Sequence, residues 1–149
     1  MAYDGAMSDI YKAHQTGQEK YTYFLLAAAG AAIGFAVQKT EGLRFSWWLL
    51  PVGLATICWA ASFYAGCQNL LWVQSTMFGN MALLQLQNGT HPEQPPGGDY
   101  LNAAIEGTRQ ALHGNAGTAQ SYGKWQFRYL VLGSVLFIAW RVAEMARIS

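Results

Sequence analysis

Apolar residues along this chain gather into three windows separated by polar stretches. Tyr21 to Val37 and Phe45 to Ala65 contain no Asp, Glu, Lys or Arg, and Phe127 to Trp140 contains only Arg128. A membrane-spanning helix needs about 20 mostly apolar residues, within a working range of roughly 17 to 25. The first two windows meet that length. The third meets it as a helix from Lys124 to Met145, with Arg128 and Arg141 reaching toward opposite interfaces. Tyr21, Tyr23, Trp47, Trp48, Trp125 and Trp140 stand near the window ends, where amphipathic rings favour the headgroup level. The pattern predicts three spans. Asp4, Asp9 and Glu19 precede the first window and argue against a cleaved signal peptide.

Between the second and third windows the pattern changes character. No Asp, Glu, Lys or Arg occurs from Phe45 through Pro92, yet the second span uses only about half of that stretch. The remainder, Cys67 to Gln87, mixes Gln, Asn, Ser and Thr with large apolar residues. Leu70, Val73, Met77 and Leu84 follow three- and four-residue steps, and Asn80 fills the gap in that stripe. A helix in bulk water normally carries Glu and Lys, so this one is expected to be covered by neighbours or to line a confined aqueous space. Two arrangements fit. The second span continues as a helical stalk, or "AGCQN" turns the chain and Leu70 to Gln87 re-enters the membrane as a fourth, pore-lining helix.

The breaker "NGTHPEQPPGG" ends this stretch. Asp99 is then expected to cap a short soluble helix with an apolar face of Leu101, Ile105, Thr108 and Leu112, and Gly114 is a candidate stop. At the other end of the chain, Ser8 is a candidate cap for a helix leading into the first span. The expected segments are an N-terminal amphipathic segment (1–20), a transmembrane hairpin (21–66), a polar helical extension and loop (67–123), and a third transmembrane helix with its tail (124–149). The fold class is therefore all-α and integral to the membrane.

Small residues bear on assembly. Gly30 and Gly34 form GxxxG, Ala27 extends it, and Ala61 with Ala65 and Ser62 with Gly66 repeat the spacing in the second span. Membrane helices associate by close van der Waals contact, which small residues permit. The contact lies either between the two spans of one chain or between subunits. Three spans make a thin bundle, and the uncharged stalk lacks a cover, so a homo-oligomer or a larger complex is expected. Val73, Met77, Asn80 and Leu84 are its stalk contacts. Asn69, Thr76 and Asn80 are candidates to line a pore.

Composition narrows the chemistry. The 149 residues are 52% hydrophobic and 11% charged, with net charge +1, so no bulk electrostatic attraction to nucleic acid is predicted. Cys58 and Cys67, on one helix, would be separated by about 13.5 Å of rise and cannot bridge. His14, His91 and His113 have no ligand spacing, so neither a metal nor a cofactor is expected. Arg109 and His113 stand one turn apart in "RQALH", which reads as a solvated helix face. No Walker loop, nucleophile elbow or acidic residue within a span is present, and the chain is not expected to be an enzyme. The basic residues Lys12, Lys20, Arg109, Lys124 and Arg128 face Lys39, Arg44, Arg141 and Arg147 across the three-span topology, which places the N-terminus and the long loop in the cytoplasm by a narrow margin.

These features suit an ion-conducting homo-oligomer in a bacterial inner membrane. An accessory subunit of a larger membrane complex, or a scaffold for a cytoplasmic partner protein, is the alternative. In layout, the Tyr21 to Ala65 hairpin, the Cys67 to Gln87 stalk and the basic Arg109, Lys124 and Arg128 resemble compact membrane effectors of bacterial anti-phage defence of the Hailong type. The resemblance implies a depolarising channel gated by a nucleotide or oligonucleotide ligand, with Arg109, Lys124 and Arg128 as candidate contacts for that anion.

Overall fold

The computed structural model describes residues 2–42 and 46–148, with side chains described over 16–42 and 46–147. Three long helices account for nearly all of it: α1 (Ala2–Thr40), α2 (Leu50–Asn88) and α3 (Asp99–Ile148). A 3-10 turn at Trp47–Leu49 leads into α2, and the Ser46 side chain accepts the Trp48 N–H there. Pro51 sits in the first turn of α2, where its missing N–H breaks no helical bond. All three helices contain a stretch long and apolar enough to cross a membrane. The protein is a helical membrane protein. Arg44 lies outside the described residues, as do the side chains of Ser8, Lys12 and His14.

Three sequence expectations are corrected. First, α1 starts at Ala2, so Ser8 is inside the helix. The preceding residues include no proline, and Ala2, Ala6 and Met7 favour helix. Second, α2 runs unbroken through Ala65 to Asn69, which removes the re-entrant fourth span. The only glycine in "AGCQN", Gly66, sits in a close helix contact and does not turn the chain. Third, α3 passes through Gly114 without a stop. A glycine costs a helix about 1 kcal/mol, which the packing of Asn115 and Ala119 beyond it offsets. Asp99 is the first residue of α3, and the Gly98 carbonyl accepts the Asn102 N–H.

The chain forms two compact units. The first comprises Met1–Cys67 and Gly123–Ser149. Its core holds Ala36, Val52, Ala55, Trp59 and Trp140, with Ile33, Leu130 and Phe137 packed against them. The inward residues of α2 (Val52, Ala55, Trp59, Ser62, Gly66) and of α3 (Gln126, Leu130, Gly133, Phe137, Trp140) advance in alternating three- and four-residue steps. That spacing is the signature of left-handed, knobs-into-holes packing. Trp59, Phe137 and Trp140 form a ring chain, with centroids 5.6 Å apart at each step.

Both ends of this unit carry cations beside aromatic rings. Arg128 lies over Trp125 at 5.2 Å, and Trp125 stacks on Tyr129. At the other end Lys39 lies over Phe35, Arg147 over Trp48, and Arg141 pairs with Glu144 at 2.7 Å. Arg128 and Arg141 reach away from the middle of α3's apolar stretch, toward opposite ends. At 1.5 Å per residue, Tyr21 to Lys39 and Trp125 to Arg141 each rise roughly 25 Å. A bilayer's hydrocarbon is about 30 Å thick.

The second unit, Gln68–Tyr122, is an antiparallel helix pair. Leu101, Ile105, Thr108, Leu112, Asn115 and Ala119 of α3 face α2. Leu112 seats in the notch at Gly79, where a Cβ would stand 2.6 Å from its Cδ2. Asn69 donates from Nδ2 to the Ala119 carbonyl at 2.7 Å, and Asn115 donates to Ser75 Oγ at 3.1 Å. Gly89 and Gly98, both with positive φ, turn the chain between the helices. The Gln94 amide caps α2 by donating to the Leu86 carbonyl.

Candidate functional site

Side chains that hold the membrane-spanning unit together also supply its only concentrated polar chemistry among the described residues. One residue from each helix meets at Gln126, which is 1% exposed. Its Nε2 donates to the Thr22 carbonyl of α1 at 3.3 Å. Its backbone carbonyl accepts the Ser62 hydroxyl of α2 at 2.7 Å. Gly66 makes room for the amide, since a Cβ there would stand 2.5 Å from Nε2. Gln126 Oε1 is buried without a partner.

Polar contacts of this kind are worth about 0.6–2 kcal/mol each between membrane helices. The node ties α1, α2 and α3 in one register. One turn further along, the Trp59 indole N–H donates to the Leu130 carbonyl at 3.3 Å. Gly133 admits that ring, as a Cβ there would lie 2.7 Å from the indole nitrogen.

Of these residues only Ser62 and Gly66 were singled out from sequence, as a small-residue pair of the second span; Thr22, Trp59, Gln126 and Gly133 were not. The signal was available in α3. The stripe Leu101, Ile105, Thr108, Leu112 extends in four- and three-residue steps and brings Gln126 and Gly133 inward.

The residues that were singled out are distributed as follows. Gly30 and Gly34 have nothing within 4 Å of a would-be Cβ, and with Ala27 and Ala31 they form a bare outer face of α1. The inward face of α1 is instead Thr22, Leu25, Ala29 and Ala36. Ala65 is buried and Ala61 half-buried. In the second unit Val73 and Asn80 are half-buried, while Met77 and Leu84 point outward at 46% and 59% exposure.

Of the candidate pore-lining residues, Asn69 is tied to Ala119, and the Thr76 hydroxyl donates to the Trp72 carbonyl of its own helix. Asn80 shares the half-buried flank of the pair with Val73.

The three candidate anion contacts do not converge within either unit. Arg109, in the second unit, pairs with Glu106 at 3.4 Å on an exposed surface. Lys124 and Arg128, one turn apart, belong to the first unit and are exposed. No group of three His, Cys, Asp or Glu side chains comes together among the described residues, and Cys58 and Cys67 are both free and half-buried.

Comparison with protein-family models, with the curated proteins and with the solved structures found no match.

Proposed function

We propose that copies of this chain assemble in the membrane into an ion-conducting channel. The supporting observation is a pair of outer faces that a single chain leaves uncovered. In the first unit these are the bare residues Ala27, Gly30, Ala31 and Gly34 of α1. In the second unit it is the outer side of α2, a 39-residue helix without a charged side chain. Close approach through the glycine face suits helix association in lipid. A ring of such subunits encloses an axis, and linings of Asn, Gln, Ser and Thr conduct with little charge selectivity.

The test is the mass of the detergent-solubilised particle together with ion flux into vesicles containing the purified protein. The reading expects a multimer and a flux with weak cation-over-anion preference. A monomer without flux removes it. A monomer that co-purifies with a larger membrane assembly supports the accessory-subunit alternative.

Gly34→Leu separates fold from assembly. No atom of the same chain lies within 4 Å of that position, so the thermal unfolding of the helices is expected to stay within about 0.5 kcal/mol, as for other exposed substitutions. The particle mass is expected to fall. An unchanged mass places the subunit contact elsewhere.

A narrower form of the proposal follows from the resemblance to anti-phage effectors. A ring of copies would repeat Arg109, Lys124 or Arg128 around its axis, and such a ring of positive charge would hold an anionic nucleotide or oligonucleotide by charge-assisted hydrogen bonds. The expected result is binding of a short oligonucleotide to the assembled protein that disappears in the R109A/K124A/R128A triple variant. Binding that survives all three substitutions excludes this ligand site.

A further inference from the structure

The second unit has two unlike sides. Along α3 the outward residues are Glu106, Arg109, Gln110, His113, Gln120 and Ser121, all exposed. Along α2 they are Leu71, Phe78 and Met81, with Met77 and Leu84 one position round the helix. Phe78 is 71% exposed, and Leu71, Met81 and Leu84 lie between 57% and 59%. Together these side chains expose apolar surface on the order of 500 Å², at the upper end of what a monomer leaves open. Gln74 adds an exposed polar side chain to this face, and a standard protein interface covers roughly 800 Å² per partner.

Three observations decide what covers it. The first concerns depth. Leu112 seats against Gly79, so one turn further Arg109 and Glu106 stand level with Met81 and Leu84. Their exposed ion pair, and the polar side chains that continue to Ser121, do not suit hydrocarbon. Lipid tails therefore do not solvate the α2 face at this level.

The second concerns charge. Helices that bind the surface of a bilayer carry Lys and Arg beside their apolar face. Residues 68–122 contain Arg109 as their one Lys or Arg, against Glu93, Asp99 and Glu106. A headgroup surface is a poor occupant.

The third concerns self-complementarity. α2 has no charged residue, so two copies of its face meet with no like-charge repulsion and with no charge left unpaired. Phe78, Met77 and Met81 supply the aromatic and adaptable thioether contacts that interfaces favour.

We infer that the Leu71–Leu84 outer face of α2 is the surface by which the second unit binds the same face, or an adjoining one, of a second copy of this chain. This rests on the homo-oligomer reading and names its contact outside the hydrocarbon. Seated copies would leave the polar α3 faces to water.

Two experiments in a background of Cys58→Ala and Cys67→Ala test it. Phe78→Cys or Met81→Cys is expected to give oxidative cross-links between copies, while Gln110→Cys on the α3 side gives at least tenfold fewer. Leu84→Glu is expected to reduce the detergent particle to a smaller species, with the helical content of the wild type. Should Leu84→Glu fail to fold, the cross-linking result stands alone.

A wild-type particle that is multimeric, with Phe78→Cys and Met81→Cys showing no cross-links, overturns this contact and leaves the homo-oligomer intact. The same follows if Gln110→Cys cross-links equally well. A wild-type monomer overturns both. Protection of Phe78→Cys from a water-soluble thiol reagent without cross-linking assigns the face to lipid or to a different protein, and the inference fails.

Discussion

Gly133→Ala is expected to destabilise the membrane-spanning unit by about 2–4 kcal/mol, a large effect for one methyl group. The reason is the position of Trp59. A Cβ at Gly133 would stand 2.7 Å from the indole nitrogen, 2.8 Å from Cδ1 and 3.0 Å from the Ala55 carbonyl oxygen. Two of these atoms belong to a rigid ring and one to backbone, so none can yield by a simple rotamer change. The ring is 3% exposed and touches Phe137 at 5.6 Å. Moving it away from α3 would lengthen its hydrogen bond to the Leu130 carbonyl, already 3.3 Å, and leave a buried N–H unpaired. Gly53→Ala, in the same unit and outside the glycine face of α1, is the matched control. It has no neighbour within 4 Å, and the gain in helix propensity gives it a neutral or slightly stabilising effect of up to about 1 kcal/mol. Reversible unfolding in mixed micelles measures both. Equal effects at the two glycines would show that Trp59 and Gly133 are not in contact.

Gly66→Ala is expected to cost about 1–3 kcal/mol, and Gln126→Ala is expected to relieve part of that cost. At Gly66 the added Cβ meets Gln126 Nε2 at 2.5 Å and Leu26 Cδ2 at 2.7 Å. These are side-chain ends, which can move more easily than backbone. Gln126, however, is enclosed on all sides and its amide is committed to the Thr22 carbonyl. Pushing the amide aside breaks that bond and adds an unpaired Nε2 to the Oε1 that already lacks a partner. With Gln126 shortened to Ala, the new methyl enters vacated space. The double variant should therefore be at least about 1 kcal/mol more stable than the sum of the two single changes predicts. Strict additivity would separate Gly66 from the polar node.

Much of the fold was legible because hydropathy reports the helices directly. The first and third windows lie within α1 and α3, and the second lies in α2 from Leu50 onward. The stripe Leu101, Ile105, Thr108, Leu112 does face α2. What escaped was direction. Glycine spacing shows where a close approach is permitted, not which approach takes place. Gly30 and Gly34 carry the recognisable motif and face outward, whereas Gly66, Gly79 and Gly133 are, among the described residues, the glycines with neighbouring atoms against them.

The stalk stripe divides between two surfaces for a related reason. Met77 and Leu84 point away from α3, Val73 and Asn80 are half-buried, and α2 turns Asn69 and Gly79 toward α3. The facing wall is built from Asn115 and Ala119 with an open carbonyl, so hydrogen bonds and small volumes set the register there. Hydrophobicity ranks faces well only when the alternative to burial is water.

The roughly 25 Å between the two cation–aromatic collars is shorter than the ~30 Å of typical hydrocarbon. Such a mismatch costs fractions of a kcal/mol per Å, met by thinning the bilayer or stretching the flanking side chains. Only α1 and α3 bear it through their own charged anchors, since α2 has no ionic group to fix its depth. In bilayers of graded acyl length, thicker membranes would strain Lys39, Arg128 and Arg141 first. The protein should therefore partition into the thinner phase of a mixed membrane.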